Sequence, residues 1–252
     1  MNTYTTSDIA KKIGIHPNTV RFYEEMQLIT RPERKENGYR IFTDLHIYQF
    51  KIARTAFQIE LLQNGLRKQS VEIVKTVALG NIDKALDLTD RYLEHIEQEK
   101  NNAAEAVKSA KAILENKDNN LIKISMTRKE TADYLGITTD TLRNWELNGL
   151  LRIKRRQNGY RVYTEQDIQI LKIIRSLRCA NYSLSSILRM LTALSRNPQT
   201  DIMKVIDTPL QTDDIITACD RLITSLDRAA YNDRTIKNML IEMKEKFFNS
   251  PI

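Results

Sequence analysis

The sequence predicts a mainly α protein with two winged helix-turn-helix domains, each followed by a long coiled-coil-type helix, the two long helices being paired antiparallel. A repeated turn-and-strand signal predicts the two domains, because ENGYRIFTDLHI (36–47) returns as QNGYRVYTEQDI (157–168). The helical class follows from composition, since only 7 glycines and 5 prolines occur in 252 residues. Apolar residues spaced alternately three and four apart, in two long stretches, predict the long helices.

The repeat begins upstream of this signal, where DIAKKIGIHPNTVRFYEEMQLI (8–29) aligns with ETADYLGITTDTLRNWELNGLL (130–151). Each copy opens with a threonine followed three residues later by a carboxylate, the capping-box signature of a helix start. Gly14 and Gly136 can take the left-handed turn that ends this first helix. A second short helix follows the turn, so each copy predicts a helix-turn-helix.

After each helix-turn-helix, an Asn-Gly pair predicts a hairpin turn and therefore a β-wing. Basic residues flank both turns: Arg34, Lys35 and Arg40 in the first copy, and Arg155, Arg156 and Arg161 in the second. Positive charge on a narrow projection is well placed to neutralise phosphates. The net charge of +7 and the pI near 9.3 also favour nucleic acid as a partner, with scattered charge on a soluble basic protein as the alternative.

The segments TVRFYEEMQLITRPERKENGYRIFT and TLRNWELNGLLRIKRRQNGYRVYT resemble the MerR family of bacterial transcription regulators. The resemblance covers residues 3–66 and 126–190. It implies winged helix domains that bind double-stranded DNA, dimerisation through an antiparallel coiled coil, and distortion of promoter DNA that an effector switches.

The two copies depart from each other and from the family pattern. Gln27 stands where the family has a glycine, which the second copy keeps as Gly149. The second copy lacks the counterpart of Pro32 and is one residue shorter, and it has Asn144 where the first copy has Phe22. These differences predict two reading heads with unlike base preferences.

The sequence divides into five segments. They are a first winged helix-turn-helix domain (1–80), a first long dimerisation-type helix (81–117), a linker (118–125), a second winged helix-turn-helix domain (126–198), and a second long helix with its tail (199–252).

The second helix of each copy is expected to enter the major groove, with Tyr23 on its exposed side. For Tyr23 and Trp145 core packing is the alternative. Ser183 would start a helix whose unpaired amides can hold a phosphate. The predicted DNA contacts are Asn18, Thr19, Arg21, Tyr23, Arg34, Lys35, Tyr39, Arg40, Thr141, Arg143, Trp145, Arg155, Arg156, Tyr160, Arg161 and Ser183.

Two glutamates of the recognition helices have a different predicted role. Glu24 and Glu146 would repel phosphates, so we expect them to orient nearby arginines rather than to touch DNA. Val20 and Leu142 are expected in the core.

Each heptad seam has one charge at its midpoint, Lys100 in the first and Asp233 in the second. If the two helices pair antiparallel within one chain, Lys100 faces Asp233 and the pair fixes the register. The chain would then be its own pseudo-dimer. The alternatives are that both charges extend to the seam edge, or that a homodimer pairs each helix with its twin, setting Lys100 against Lys100.

Several classes of protein are not expected. Cys179 and Cys219 lie far apart without histidine partners, so neither a metal site nor a cofactor is predicted. The three histidines form no constellation with a cysteine or serine, so no enzyme is predicted. With no secretory leader and no membrane-spanning stretch, the expected location is the bacterial cytoplasm, on the nucleoid when DNA is bound.

The expected partners are double-stranded DNA, RNA polymerase indirectly at the promoter, and a small apolar effector. Tyr92, Tyr134, Tyr182 and Tyr231 are candidates to line an effector pocket, with ordinary core packing as the alternative. The rival functions are an architectural or recombination-accessory DNA-binding protein and a protein-binding helical scaffold.

Overall fold

The computed structural model describes residues 2–58, 65–115, 125–153, 161–197, 199–209 and 217–248. Its contacts separate the chain into two units. The first unit contains Met1–Glu97 together with Leu226–Ile252, and the second contains Gln98–Ser225. Both are mainly helical, which confirms the predicted fold class.

The first head lies in the first unit. Its elements are β1 (Thr3–Tyr4), α1 (Thr6–Ile13), α2 (Pro17–Glu25), β2 (Glu33–Arg34), β3 (Arg40–Thr43), α3 (Asp44–Ala56) and α4 (Leu66–Ala78). The predicted capping box between Thr5 and Asp8 begins α1, and Gly14, with φ of +73°, ends it. Pro17 begins α2, where a missing backbone N–H is tolerated. Local sequence signals therefore set both helices of the helix-turn-helix.

Apolar side chains from α1, α2, β3 and α3 form the core of this head. Val20, Phe42 and Phe50 are fully buried there. Burying each such side chain contributes about 1.5–3 kcal/mol. Because one face of α2 is fixed against this core, the opposite face is held towards solvent.

The wing of the first head is the antiparallel hairpin of β2 and β3, in which Arg34 lies opposite Arg40. In its turn the Gly38 N–H donates to the Lys35 carbonyl at 2.8 Å, and Gly38 has φ of +81°. β1 pairs with the other edge of β3. The predicted hairpin is confirmed here, whereas the turn of the second copy at 158–159 lies outside the described residues.

The second head lies in the second unit and repeats these signals. Its elements are β4 (Ser125–Met126), α6 (Arg128–Leu135), α7 (Thr139–Leu147), β5 (Tyr163–Thr164), α8 (Glu165–Cys179), α9 (Leu184–Arg196) and α10 (Ile202–Ile206). Thr127 and Glu130 form the capping box of α6, Gly136 ends that helix with φ of +61°, and the Thr138 side chain caps α7. β4 and β5 pair antiparallel.

The two long helices are α5 (Ile82–Glu115) and α11 (Leu222–Phe247). In the first unit they run antiparallel, because residue numbers rise along one as they fall along the other in three ion pairs: Asp83 with Lys244, Asp90 with Lys237, and Glu97 with Arg234. Exposed ion pairs contribute roughly 0–1 kcal/mol each, so they mark the register more than they stabilise it. Among the described residues, no helix has the length and apolar character that crossing a membrane requires.

The second long helix begins at Leu222, within the segment 199–252 that the sequence assigns to it. α10 and a 3-10 turn (Ala218–Arg221) precede it. The Asp207 carboxylate accepts hydrogen bonds from the backbone N–H groups of Ile223 at 2.8 Å and Thr224 at 3.1 Å. These bonds satisfy amides that have no partner within the helix, so Asp207 ties the end of α10 to the start of α11.

Each head packs against the long helix that follows the other repeat. In the first unit, the rings of Tyr48 on α3 and Phe247 on α11 have their centroids 5.7 Å apart. In the second unit, the Asn181 side chain just after α8 donates to the Glu99 carboxylate of α5 at 3.1 Å. Each long helix thus contacts the head of the other repeat rather than the head that precedes it in the chain.

Candidate nucleic-acid interface

The exposed faces of α2 and α7 carry the side chains available to a nucleic acid. Asn18 and Arg21 are exposed on α2, and the Arg21 guanidinium donates to Asn18 Oδ1 at 2.7 Å. Arg143 is exposed at the equivalent position of α7. Thr19 and Thr141 are half-buried. Each recognition helix therefore presents one arginine to solvent.

The aromatic residues of these helices lie elsewhere. The expectation that Tyr23 lies on the exposed side is wrong, since Tyr23 is 5% exposed and Trp145 is 4% exposed. Each follows a buried aliphatic residue by three positions and so shares its face of the helix. The Tyr23 ring stacks on Phe50, with centroids 5.4 Å apart. Core packing therefore describes both residues, and their contact with DNA stays a prediction.

Glu24 positions the arginines of the first wing. It accepts hydrogen bonds from Arg34, at 3.3 Å, and from Arg40. The glutamate side chain is largely buried, whereas the arginines remain partly exposed. Each arginine can therefore turn donors outward while its charge is held in place, which confirms the predicted orienting role of this glutamate.

Glu146 has the same role in the second head and a larger set of partners. It pairs with Arg161 at 3.0 Å and Arg128 at 2.8 Å, and accepts a hydrogen bond from the Tyr163 hydroxyl. Burial, and then the bond to Glu146, raise the pKa of Tyr163 to about 12, so this hydroxyl keeps its proton at neutral pH. The hydrogen bond with Tyr163 raises the pKa of Arg128.

Arg128 is a member of this site that the sequence did not reveal. It lies in the first turn of α6, a position that reads as solvent-facing, and the first copy has Thr6 there. The only signal in the sequence was the difference between the copies, a cation in the second where the first has a threonine.

A cleft of about 530 Å³ lies between the start of α1 and the first wing. It is lined by Thr5, Thr6, Ser7, Arg21, Asn37, Gly38, Tyr39 and Arg40. Tyr39 is 71% exposed and so can present its hydroxyl. Cations, hydroxyls and the amides of a helix start together suit a backbone phosphate. Thr6 and Ser7 were not predicted, because a capping motif reads as a structural signal.

Two further predicted wing residues are accessible to solvent. Lys35 is exposed beside the first turn, and Arg161 is partly exposed on the second wing. Arg155, Arg156 and Tyr160 lie outside the described residues.

Ser183 begins α9, as predicted, and its hydroxyl accepts a hydrogen bond from the Ser186 N–H at 2.9 Å. The same hydroxyl donates to the Asp220 carboxylate, and the Ser183 N–H donates to the Cys219 carbonyl at 3.3 Å. A carboxylate of the chain itself thus lies at this helix start. A phosphate contact at Ser183 stays a prediction, and it would require Asp220 to move.

The predicted register partners Lys100 and Asp233 belong to different units, and their pairing stays a prediction. Asp233 is 2% exposed, and its Oδ1 accepts no hydrogen bond among the described residues. Burial, and then the charge of Asp90, raise the pKa of Asp233 to about 7, against the opposing effects of Lys237 and Arg234. The seam therefore contains an acid that titrates near neutral pH.

The four tyrosines proposed to line an effector pocket have two kinds of environment. Tyr92 and Tyr182 are buried, which matches the core-packing alternative, whereas Tyr134 and Tyr231 are exposed. Cys179 is exposed and Cys219 is buried. Within the described ranges, no group of histidine, cysteine, aspartate and glutamate could hold a metal ion.

Two helix-turn-helix heads, the first with a basic β-hairpin wing beside its recognition helix, define a tandem helix-turn-helix protein. The family described as "MerR family regulatory protein" matches residues 5–42, and "MerR HTH family regulatory protein" matches residues 126–194. The chain therefore carries two MerR-family helix-turn-helix regions in tandem. No solved structure matches it.

Similar curated proteins include the HTH-type transcriptional regulator CueR of Salmonella typhi, 47% identical over 53 residues, which are 21% of this chain and 38% of that protein. ZntR of Escherichia coli is 39% identical over 65 residues, covering 26% of this chain and 46% of ZntR. YyaN of Bacillus subtilis is 27% identical over 126 residues, which are 46% of this chain and 91% of YyaN. The chain thus spans under half the length of CueR and ZntR.

Proposed function

We propose that this protein is a sequence-specific, double-stranded DNA-binding transcription regulator. One observation carries the proposal: each recognition helix carries an exposed arginine and a glutamate that orients a wing arginine. Such an arrangement supplies major-groove and phosphate contacts together. The similarity to proteins named transcriptional regulators points the same way.

Salt-dependent DNA binding tests this proposal. Affinity should fall with rising salt, and Arg40→Ala and Arg161→Ala should each reduce the slope of log K against log salt by about 1. Arg91→Ala is the matched control, because Arg91 is an exposed arginine of α5 paired only with Asp87 in the described contacts. If all three variants bind DNA like the parent, the wing arginines do not contact DNA. Salt-independent binding would favour the scaffold function.

The single-chain pseudo-dimer is the second part of the proposal. Its support is the exchange of partners, in which Tyr48 of the first head contacts α11 and Asn181 of the second head contacts α5. In a homodimer each head would contact the long helix of a second chain. In the pseudo-dimer the other repeat of the same chain supplies that helix. Sedimentation of the complex should find one chain per DNA site. Two chains per site would support the homodimer.

An asymmetric DNA site follows from the unlike recognition helices. α2 exposes Phe22 (47%) and is followed by the exposed Met26 (48%). α7 exposes Asn144 and is followed by the exposed Asn148, and the amides of these two asparagines bond to each other at 2.8 Å. Apolar side chains favour the thymine methyl group, and asparagine favours adenine. Selection from random DNA should return two unlike half-sites. The double variant Phe22→Asn, Met26→Asn should make them more alike, and symmetric half-sites from the parent would contradict this assignment.

Transcription from a promoter that the protein distorts separates regulation from the architectural alternative. The regulator should change transcript levels in a reconstituted reaction with RNA polymerase and a promoter that contains the selected site. DNA bending without any change in transcript would favour an architectural or recombination-accessory role. A small apolar effector, if it acts here, should alter the transcript level without preventing DNA binding.

A further inference from the structure

An open groove of about 610 Å³ lies in the second unit between α9 and α10. This volume falls within the range of small-molecule sites. α10 belongs to the stretch between the second head and α11, and the first repeat has no counterpart of it in the described residues, where α4 is followed within four residues by α5. The groove is therefore a feature of the second repeat alone.

The lining of the groove combines apolar and basic chemistry. Leu188, Ala193 and Val205 contribute half-buried apolar groups that no other described side chain covers completely. Arg196 and Lys204 are exposed at its rim, and neither forms an ion pair with the described residues. Among the described residues, no acidic side chain lines it. An apolar ligand with one negative group would match both parts of this surface.

Arg189 joins the two walls of the groove. Its guanidinium donates to the carbonyls of Val205 at 2.9 Å and Ile206 at 3.0 Å, at the carboxyl end of α10. It also donates to the Asp220 carbonyl at 3.1 Å, just before α11. A cation at a helix carboxyl terminus is favoured by the helix dipole, so this contact holds α10 in place.

The far side of α10 is bonded to the start of α11. Asp207 accepts hydrogen bonds from the Ile223 and Thr224 amides and from the Thr224 hydroxyl, the last at 2.5 Å. A displacement of α10 away from α9 would strain these bonds. Occupation of the groove can therefore change the first turn of the helix that continues into the first unit.

We propose that this groove binds an amphipathic organic anion, with its apolar part against Leu188 and Val205 and its charged group between Arg196 and Lys204. Binding itself does not depend on the DNA function, but its regulatory consequence, a changed DNA affinity through α10 and α11, rests on the proposed function. The ligand class is a carboxylate, sulfonate or phosphate on an apolar body.

The test uses the full chain without DNA and two probes. One is 8-anilinonaphthalene-1-sulfonate, followed by fluorescence, and the other is decanoate, followed by displacement of that dye. The double variant Arg196→Glu, Lys204→Glu should weaken both by about tenfold or more, as expected for reversing two charges near an anion. Ala193→Trp should block the groove. Lys108→Glu, an exposed reversal on α5 in the same unit, is the control and should leave binding unchanged.

The outcomes are distinct. Equal binding by the parent and by both groove variants would place the dye elsewhere and overturn the proposal, as would absence of binding to either probe. Decanol binding as tightly as decanoate would overturn the anion assignment. Ala193→Trp can disturb folding. If its result disagrees with that of the double variant Arg196→Glu, Lys204→Glu, the double variant decides whether the groove binds the probe. If the probes bind but leave the affinity for DNA unchanged, the regulatory step is overturned. If neither the parent nor any variant binds DNA, the proposed function is rejected, whereas binding of the probes is not.

Discussion

Replacing the buried acid at the seam should stabilise the protein, and the effect should depend on pH. In the folded chain Asp233 lies beside Tyr92 and Asn232 in a cavity with room for little more than a water molecule, and its Oδ1 accepts no hydrogen bond among the described residues. Burial and the nearby Asp90 raise its pKa from 3.8 to about 7. The folded state therefore holds a proton that the unfolded state loses between these two values.

The sign of the effect follows from proton linkage. Between about pH 4 and pH 7 the folded state binds more protons than the unfolded state, so stability falls as pH rises and is level above pH 7. A tenfold change in proton affinity corresponds to about 1.4 kcal/mol. The free energy of unfolding therefore falls by at most about 4 kcal/mol between pH 4 and pH 7. Asp233→Asn keeps the shape of the side chain and removes the charge, and it should remove this loss.

Urea unfolding followed by far-ultraviolet circular dichroism can measure the difference near pH 5 and near pH 8. The free energy of unfolding of Asp233→Asn should exceed that of the parent by about 2–3 kcal/mol more at the higher pH than at the lower, since about two of the three pH units of linkage lie above pH 5. Asp87→Asn is the control, because Asp87 is 62% exposed and forms a surface pair with Arg91. A parent-to-variant difference that is the same at both pH values would refute the reasoning.

Three further predictions concern the heads. Gln27 has φ of +56° where the second copy has Gly149 with φ of +78°, so Gln27→Gly should raise, and Gly149→Gln should lower, the free energy of unfolding by about 1 kcal/mol, measured by thermal denaturation. Glu146→Gln should destabilise the protein by about 1–3 kcal/mol in the same assay, because it leaves two partly buried arginines without their counter-charge; an unchanged Tm would contradict this. Arg143→Ala should weaken DNA binding by about 1–3 kcal/mol in a gel-shift titration and should relax sequence preference in one half-site only.

The sequence predicted those parts of the fold that neighbouring residues determine. The capping threonines, Gly14 and Gly136, and the wing turn at Gly38 act within a few residues of themselves, so their patterns specify structure directly. The antiparallel direction of the long helices was expected from the resemblance to the MerR family, and three ion pairs in the first unit agree with it.

Other features depend on contacts between distant residues, and the sequence pattern did not contain them. The burial of Tyr23 is set by the position of Phe50, and the role of Arg128 is set by Glu146, 18 residues away. The connection between α10 and α11 is made by Asp207, which bonds to amides 16 and 17 residues away. In each case a residue's local pattern allowed two environments, and tertiary packing selected one of them.

The comparison of the two heads separates positions that hold the scaffold from positions that face outward. Both recognition helices keep a glutamate bonded to wing cations and a left-handed residue after the helix. The exposed residues at and just after the end of each helix differ completely, being Phe22 and Met26 in one head and Asn144 and Asn148 in the other. In a homodimer any substitution enters both half-sites at once, because symmetry repeats it. A single chain that carries both heads removes that constraint, so each reading face can differ while the supporting contacts stay equivalent.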